Sequence, residues 1–219
     1  MNISYWKNRW EKGNTGWHMD HVYPLLPKLW PQFNLPANAK VLVPLCGKSI
    51  DLLWLLQKNF HVIGIEVSAK AIKQLERNSS LFFTCTNRKG HTVFEANSME
   101  IWKDDFLNIS PDVIGKVDAI YDKAALIALP PEIRKKYIPH LQSFCHSHTQ
   151  ILLQTFEYKQ EEMQGPPFSV SQKELRTYFN PNFEIKLLYE KSKLNEFERF
   201  KERGLTSYFI EKVYQIYPK

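Results

Sequence analysis

Between Lys40 and Glu66 the chain changes its hydrophobic period twice, and no other stretch restricts the fold as much. Lys40-Val-Leu-Val-Pro44 is a short β-branched run that ends in a turn. Ile50 to Asn59 then carries Leu52, Leu53, Leu55 and Leu56 at helical spacing, and His61-Val-Ile-Gly-Ile-Glu66 returns to a strand pattern. Ser68 stands where it caps a further helix, Ala69 to Asn78, with Ala71, Ile72 and Leu75 on its apolar face. The alternation continues downstream. A β-hairpin is expected from Leu81 to Phe94, a short edge strand from Ser98 to Lys103, and a buried strand at Val117-Asp-Ala-Ile-Tyr121. Pro131 to Gln142 reads as a helix and Gln150 to Phe156 as a central strand. Strands alternating with helices imply an α/β fold with a mostly parallel sheet covered by helices on both faces.

The last third has a different grammar. Ser171-Gln-Lys-Glu174 is a capping-box signature that opens a short helix, and Phe183 to Tyr189 and Tyr208 to Tyr217 read as two strands joined by a charged connection. They suit an antiparallel pair at one edge of the sheet. Before the sheet begins, Trp6 to Trp30 is rich in aromatics, and residues 1–35 are expected to form a helical cap over the ligand end. With 219 residues, no internal repeat and no long linker, residues 1–219 read as a single domain. The apolar fraction of 43% and the charged fraction of 24% are those of an ordinary globular chain. No window approaches the ~20 apolar residues of a membrane span, and no signal peptide is apparent. A cytoplasmic protein without a membrane partner is the expectation.

Cys46, Cys85 and Cys145 stand far apart, with no CxxC pair and no histidine spacing for zinc, so they read as reduced and structural, and no metal is expected. The net charge of +6 raises the question of nucleic acid, but basic and acidic residues are interleaved and no run of five basic residues occurs. The charge suits an anionic small substrate equally well.

Ligands of open α/β sheets bind beyond the carboxyl ends of the strands, which directs attention to Pro44-Leu-Cys-Gly-Lys-Ser-Ile-Asp51. Gly47-Lys48-Ser49 suggests a phosphate-binding P-loop, yet Leu42 occupies the position where its first glycine is required. A dinucleotide fingerprint is also absent, since Gly47 is the only glycine of the turn. S-adenosyl-L-methionine carries no phosphate, so its site tolerates fewer glycines, provided backbone can approach the methionine part at Gly47. It also needs a carboxylate at the end of the second strand to accept from the ribose hydroxyls, about 20 residues on, and Glu66 meets that need. Lys48 and Asp51 read as solvated or helix-capping residues. Farther on, Asp105 could accept from the adenine amine and Phe106 could cover the ring. The strand Val117 to Tyr121 delivers Asp122 and Lys123 to the same end of the sheet, Lys123 being expected to point towards the acceptor or the cofactor carboxylate, away from the sulfonium.

Five stretches together resemble the thiopurine S-methyltransferase family in its bacterial form. They are Trp6-Lys-Asn-Arg-Trp10 with Gly13-Asn-Thr-Gly-Trp-His18, Val43-Pro-Leu-Cys-Gly-Lys-Ser49 with Asp51, Gly64-Ile-Glu66, Tyr121-Asp-Lys-Ala-Ala-Leu-Ile-Ala-Leu-Pro130 and Gly165-Pro-Pro-Phe168. The resemblance implies a Rossmann-like class I methyltransferase that moves a methyl from S-adenosyl-L-methionine to sulfur of aromatic or heterocyclic thiols. By position it makes Trp10, Leu45, Glu66 and Lys123 cofactor contacts, and Trp17, His18 and Phe168 the acceptor lining. The family usually carries arginine where this chain has Lys123, and a lysine lacks the planar fork that engages a carboxylate or purine edge, so acceptor preference is where a difference is expected.

A sulfonium methyl is already activated and its transfer neutralises charge, so positioning should supply most of the acceleration. A heteroaromatic thiol is partly ionised near neutral pH, which makes Asp122 more an organiser than a base, although it is the candidate if a base acts. The expected partner is a small-molecule thiol, not nucleic acid, met by a monomer. Selenium or tellurium oxyanion-derived acceptors form one alternative. A basic nucleic-acid-binding protein with a vestigial cofactor fold forms another, and it would bind oligonucleotides in a salt-sensitive way.

Overall fold

The computed structural model describes residues 3–179 and 181–219. The chain forms two compact units, Met1–Ile120 and Tyr121–Lys219. The first unit opens with α1 (Ile3–Glu11) and α2 (Leu26–Leu29), the latter running into a 3₁₀ turn at Trp30–Phe33. It continues as β1 (Lys40–Pro44), α3 (Asp51–Gln57), β2 (His61–Ile65), α4 (Ala69–Ser79), β3 (Thr84–Arg88), β4 (His91–Ala96), β5 (Met99–Lys103) and α5 (Pro111–Ile114). It ends in β6 (Val117–Asp122), whose last two residues belong to the second unit.

The strand order in the first unit is β3-β4-β5-β2-β1-β6. β1 pairs in parallel with β2 and β6, and β2 with β5, whereas the β3-β4 hairpin adds two antiparallel pairings beyond β5. Val41 to Pro44 and Val62 to Ile65 are continuously buried, as strands covered on both faces must be. The α4 boundary follows its cap: the Ser68 hydroxyl accepts from Ala71 N–H at 3.2 Å.

One strand differs from the sequence expectation. Met99–Lys103 is not an edge strand: it lies between β2 and β4, bonded to both, and Met99, Ile101 and Trp102 are buried. Its polar residues Glu100 and Lys103 mimic an edge, but both are half-buried and Glu100 is held by His61 and Arg88.

Gly64, in the middle of β2, marks a close approach. A Cβ built there would stand 2.7 Å from Ile101 Cδ1 and 2.8 Å from Cys46 Sγ. Gly64→Ala is therefore expected to cost about 1–3 kcal/mol by overpacking, read as a lowered Tm in thermal unfolding. Its effect should be relieved when Ile101→Val is added; an additive double variant would contradict the packing explanation.

The second unit contains α6 (Pro131–Ser143), β7 (Cys145–Glu157), α7 (Gln172–Phe179), β8 (Phe183–Ser192), α8 (Glu198–Lys201) and β9 (Ile210–Pro218). Here β9 lies between β7 and β8 and is antiparallel to both, so the two late strands pair as expected. Half of the expected capping box is present. Ser171 Oγ accepts from Glu174 N–H at 3.1 Å, but the Glu174 carboxylate turns to Arg134. A buried guanidinium is a stronger partner than a backbone N–H at a helix end.

Candidate active site

The turn after β1 is built on left-handed backbone, with φ of 50° at Leu45 and 57° at Gly47. Cys46 N–H donates to Ile65 O at 3.0 Å, and Glu66 N–H to Trp102 O at 3.0 Å, so the turn is fastened to the end of β2 and β2 to β5. The Glu66 side chain completes the arrangement. Its Oε2 accepts from Gly47 N–H at 2.9 Å and its Oε1 from Ser68 N–H at 2.7 Å. One carboxylate thus joins the turn after β1 to the cap of α4.

Burial pushes the Glu66 carboxyl up to about 7, with N–H bonds from Ser68, Gly47 and Val67 pulling the other way. A carboxylate has about four acceptor positions, so these bonds leave capacity on a group that is 5% exposed. Cys46, beneath it, is a buried thiol pushed well above its usual range by burial and by Glu66. It fills the space over Gly64.

Trp10 reaches the same turn from α1. A Cβ on Gly47 would meet Trp10 Cζ2 at 3.0 Å and Glu66 Oε2 at 4.0 Å, so the structure brings Trp10, Gly47 and Glu66 together around a left-handed backbone where a side chain would crowd the indole. Trp17 stands edge-on to Trp10, with ring centroids 5.7 Å apart, and edge-on to Trp6 at 5.2 Å. Arg9 lies 5.2 Å from the Trp17 ring and donates from Nε to Asn14 O at 3.0 Å, holding the loop that bears Trp17 and His18. His18 is half-buried and its N–H closes a turn on Thr15 O at 2.8 Å. Asp51 is neither solvated nor a terminal cap: it is 1% exposed and accepts from Tyr23 N–H at 2.7 Å, tying the N-terminal segment to α3.

Asp105 caps the short 3₁₀ turn Phe106–Asn108 through Leu107 N–H at 3.1 Å. Asp104 beside it bonds to His91, Asn108 and the Asp105 N–H. Phe106 corrects the sequence expectation. Its ring is 1% exposed and belongs to the core, so it has no open face with which to cover an adenine. Sequence marks an aromatic after β5 but not the direction in which it points.

In the second unit Asp122 is 1% exposed, with Oδ1 accepting from Leu126 N–H at 3.0 Å and Oδ2 from the Tyr137 hydroxyl at 2.7 Å. Burial pushes its carboxyl up to about 6 against the hydrogen bonds of Leu126, Tyr137 and Ala125. Lys123 is half-buried and is followed by Ala124 at φ 65°. Phe168 is half-buried, donates its N–H to Ile127 O at 2.7 Å, and lies so close to Gly165 that a Cβ there would be 2.4 Å from its ring. Arg134 is a neighbour that the sequence reading missed, its guanidinium 5.9 Å from the Phe168 ring. The signal existed, because Arg134 shares helical spacing with buried Tyr137, Ile138 and Leu141, which places a charge on an apolar face. Among the described residues no group of His, Cys, Asp or Glu is arranged to hold a metal ion, and no helix is long and apolar enough to cross a membrane.

The chain superposes along its length on solved methyltransferases. With magnesium protoporphyrin IX methyltransferase from Synechocystis PCC 6803, solved with bound SAH, the TM-score is 0.65 at 14% identity, covering 100% of each chain. With the 1,6-didemethyltoxoflavin-N1-methyltransferase of Burkholderia thailandensis it is 0.62 at 12% identity, covering 97% of this chain and 86% of the other. Likeness at that identity defines the fold, the Rossmann-like α/β fold of class I methyltransferases. Sequence narrows the class: the family model for thiopurine S-methyltransferase matches residues 1–219. A thiopurine S-methyltransferase of Pseudomonas fluorescens (strain SBW25) is 37% identical over 216 residues, 99% of each chain. A probable thiopurine S-methyltransferase of the yeast Yarrowia lipolytica is 38% identical over 218 residues, 99% of this chain and 100% of its own. The chain belongs to the thiopurine S-methyltransferase family, and its likeness extends beyond the bacterial form.

Proposed function

We propose that this protein transfers the methyl group of S-adenosylmethionine to the sulfur of aromatic or heterocyclic thiols, residues 1–219 acting as one methyltransferase domain. The observation that carries the reading is the Glu66 carboxylate, buried against a left-handed glycine turn and only partly spent on Gly47, Ser68 and Val67. Its remaining acceptor position suits a ribose hydroxyl. Leu45 and Gly47 offer backbone to the methionine part, and Trp10 closes over the turn where a side chain would crowd it. Asp105, whose carboxylate keeps acceptor capacity beyond its cap, is the group for the adenine amine. When bound, the cofactor supplies an electrophilic methyl on a positively charged sulfur.

The protein's own part is orientation, charge and exclusion of water. In the first unit Trp17 and His18 are assigned to the acceptor. In the second, Phe168 provides an aromatic face and Lys123 a positive charge, which favours a thiolate over a neutral thiol. Asp122 is assigned as an organiser, because both oxygens are engaged and the group is buried. The protein meets its thiol in the cytoplasm and needs no nucleic-acid partner.

Titration calorimetry of the full chain with S-adenosylmethionine, followed by transfer of a labelled methyl to a heteroaromatic thiol, tests the reading. Saturable heat and label on sulfur are expected. Absence of cofactor binding together with salt-sensitive oligonucleotide binding would overturn it.

A further inference from the structure

We propose that Arg134 is a positioning residue for the acceptor: it sets Phe168 and its loop, and through that ring favours an electron-rich, anionic aromatic acceptor over a neutral or aliphatic one. The proposal rests on the assignment of Phe168 to the acceptor. Arg134 is 0% exposed. A buried charge costs several kcal/mol unless it is paired and hydrogen-bonded, and an apolar residue on that face of α6 would pack without that cost.

Its partners show what the charge holds. Nη1 donates to both oxygens of Glu174, at 2.8 and 3.0 Å, and to Ser169 O at 3.0 Å, while Nε donates to Leu129 O at 2.8 Å. Leu129 closes the 3₁₀ segment that follows Asp122 and Lys123, and Ser169 is the residue after Phe168. One guanidinium therefore fastens the loop after β6 to the loop that carries Phe168. The Phe168 N–H to Ile127 O bond joins the same two loops.

The other end of the guanidinium is unspent. Nη2 is buried with no hydrogen-bond partner, and Cζ lies 5.9 Å from the Phe168 ring centroid. A cation beside a ring draws π density towards itself. What the half-buried ring presents elsewhere is then less negative and pairs better with an electron-rich aromatic such as a ring bearing thiolate.

Steady-state kinetics with an aromatic thiol and an aliphatic thiol, beside S-adenosylhomocysteine affinity by calorimetry, separate positioning from mere support of the fold. Arg134→Lys keeps the charge but loses the fork. It is expected to raise KM for the aromatic thiol about 10-fold, the size of one charge-assisted hydrogen bond lost from the clamp between the two loops, with S-adenosylhomocysteine affinity within about 2-fold of the parent. Phe168→Leu leaves Arg134 and its hydrogen bonds in place and should raise the same KM while lowering the aromatic-to-aliphatic preference. A fall in apparent kcat with KM unchanged would mark Arg134 as structural only and overturn the proposal. If Arg134→Lys does not fold, an unchanged KM and preference in Phe168→Leu overturns it alone. A parent protein that binds S-adenosylhomocysteine but methylates no thiol would fail the proposed function instead.

Discussion

Glu66→Gln is expected to weaken S-adenosylmethionine binding by about 10- to 100-fold, since a charge-assisted hydrogen bond of the kind proposed to the ribose is worth about 1.5–3 kcal/mol. The glutamine keeps the shape but sets an amide N–H₂ against one of two backbone donors, Gly47 or Ser68, that now face carboxylate oxygens. An unchanged affinity in calorimetry would remove Glu66 from the cofactor site.

The pH dependence has a definite sign. The free protein takes up a proton on Glu66 as pH falls through about 7, so cofactor affinity should decline below that point in the parent and lose this slope in Glu66→Gln. Stability of the cofactor-free protein runs the other way. A carboxyl raised from 4.5 to about 7 binds more protons folded than unfolded, so its contribution is complete below about 4.5 and is lost as pH rises through about 7. The size is about 3 kcal/mol, visible as a Tm that falls with rising pH across this window and flattens in the variant.

Asp122→Ala is the second large effect. It strips the Tyr137 hydroxyl and the Leu126 N–H of their acceptor in a region closed to water. Each buried donor left unpaired costs about 1–3 kcal/mol, so a loss of about 2–6 kcal/mol is expected in denaturant unfolding. Asp122→Asn keeps one acceptor and should fall between the parent and the alanine variant. The activity that survives in Asp122→Asn should keep the parent's pH profile, because an organiser shapes the loop without taking the proton. A profile displaced to higher pH would make Asp122 the base. In stability its sign matches Glu66: burial raises it from 3.8 to about 6, so its contribution is complete below about 3.8 and fades as pH rises through about 6.

At more acid pH Glu100 sets the opposing slope. Burial would raise it, but bonds from His61, Arg88 and Trp102 outweigh that and hold it at about 2. Its contribution is present above about 4.5 and is lost as pH falls through about 2.

The sequence determined the elements whose signals are local. The β-branched run at Lys40, the leucine spacing after Ile50 and the capping serine at Ser68 need only near neighbours to read, and β1, α3, β2 and α4 appear within two residues of where these signals place them. It also determined the turn that joins Gly47 to Glu66, because a short strand–helix–strand path brings those two residues together regardless of the rest of the fold. Tertiary structure decided everything that depends on a partner distant in the chain. Met99–Lys103 became an interior strand because β2 supplies backbone on one side and β4 on the other, and backbone hydrogen bonds leave no mark on side-chain pattern. Phe106 went into the core, and Trp10 onto Gly47, by packing that a one-dimensional pattern does not specify. Arg134 found Glu174 forty residues away. A buried charge is tolerated only where the folded chain delivers its counter-charge and acceptors, so helical spacing marks Arg134 as a charge on an apolar face, but only the folded chain shows that it holds the Phe168 loop.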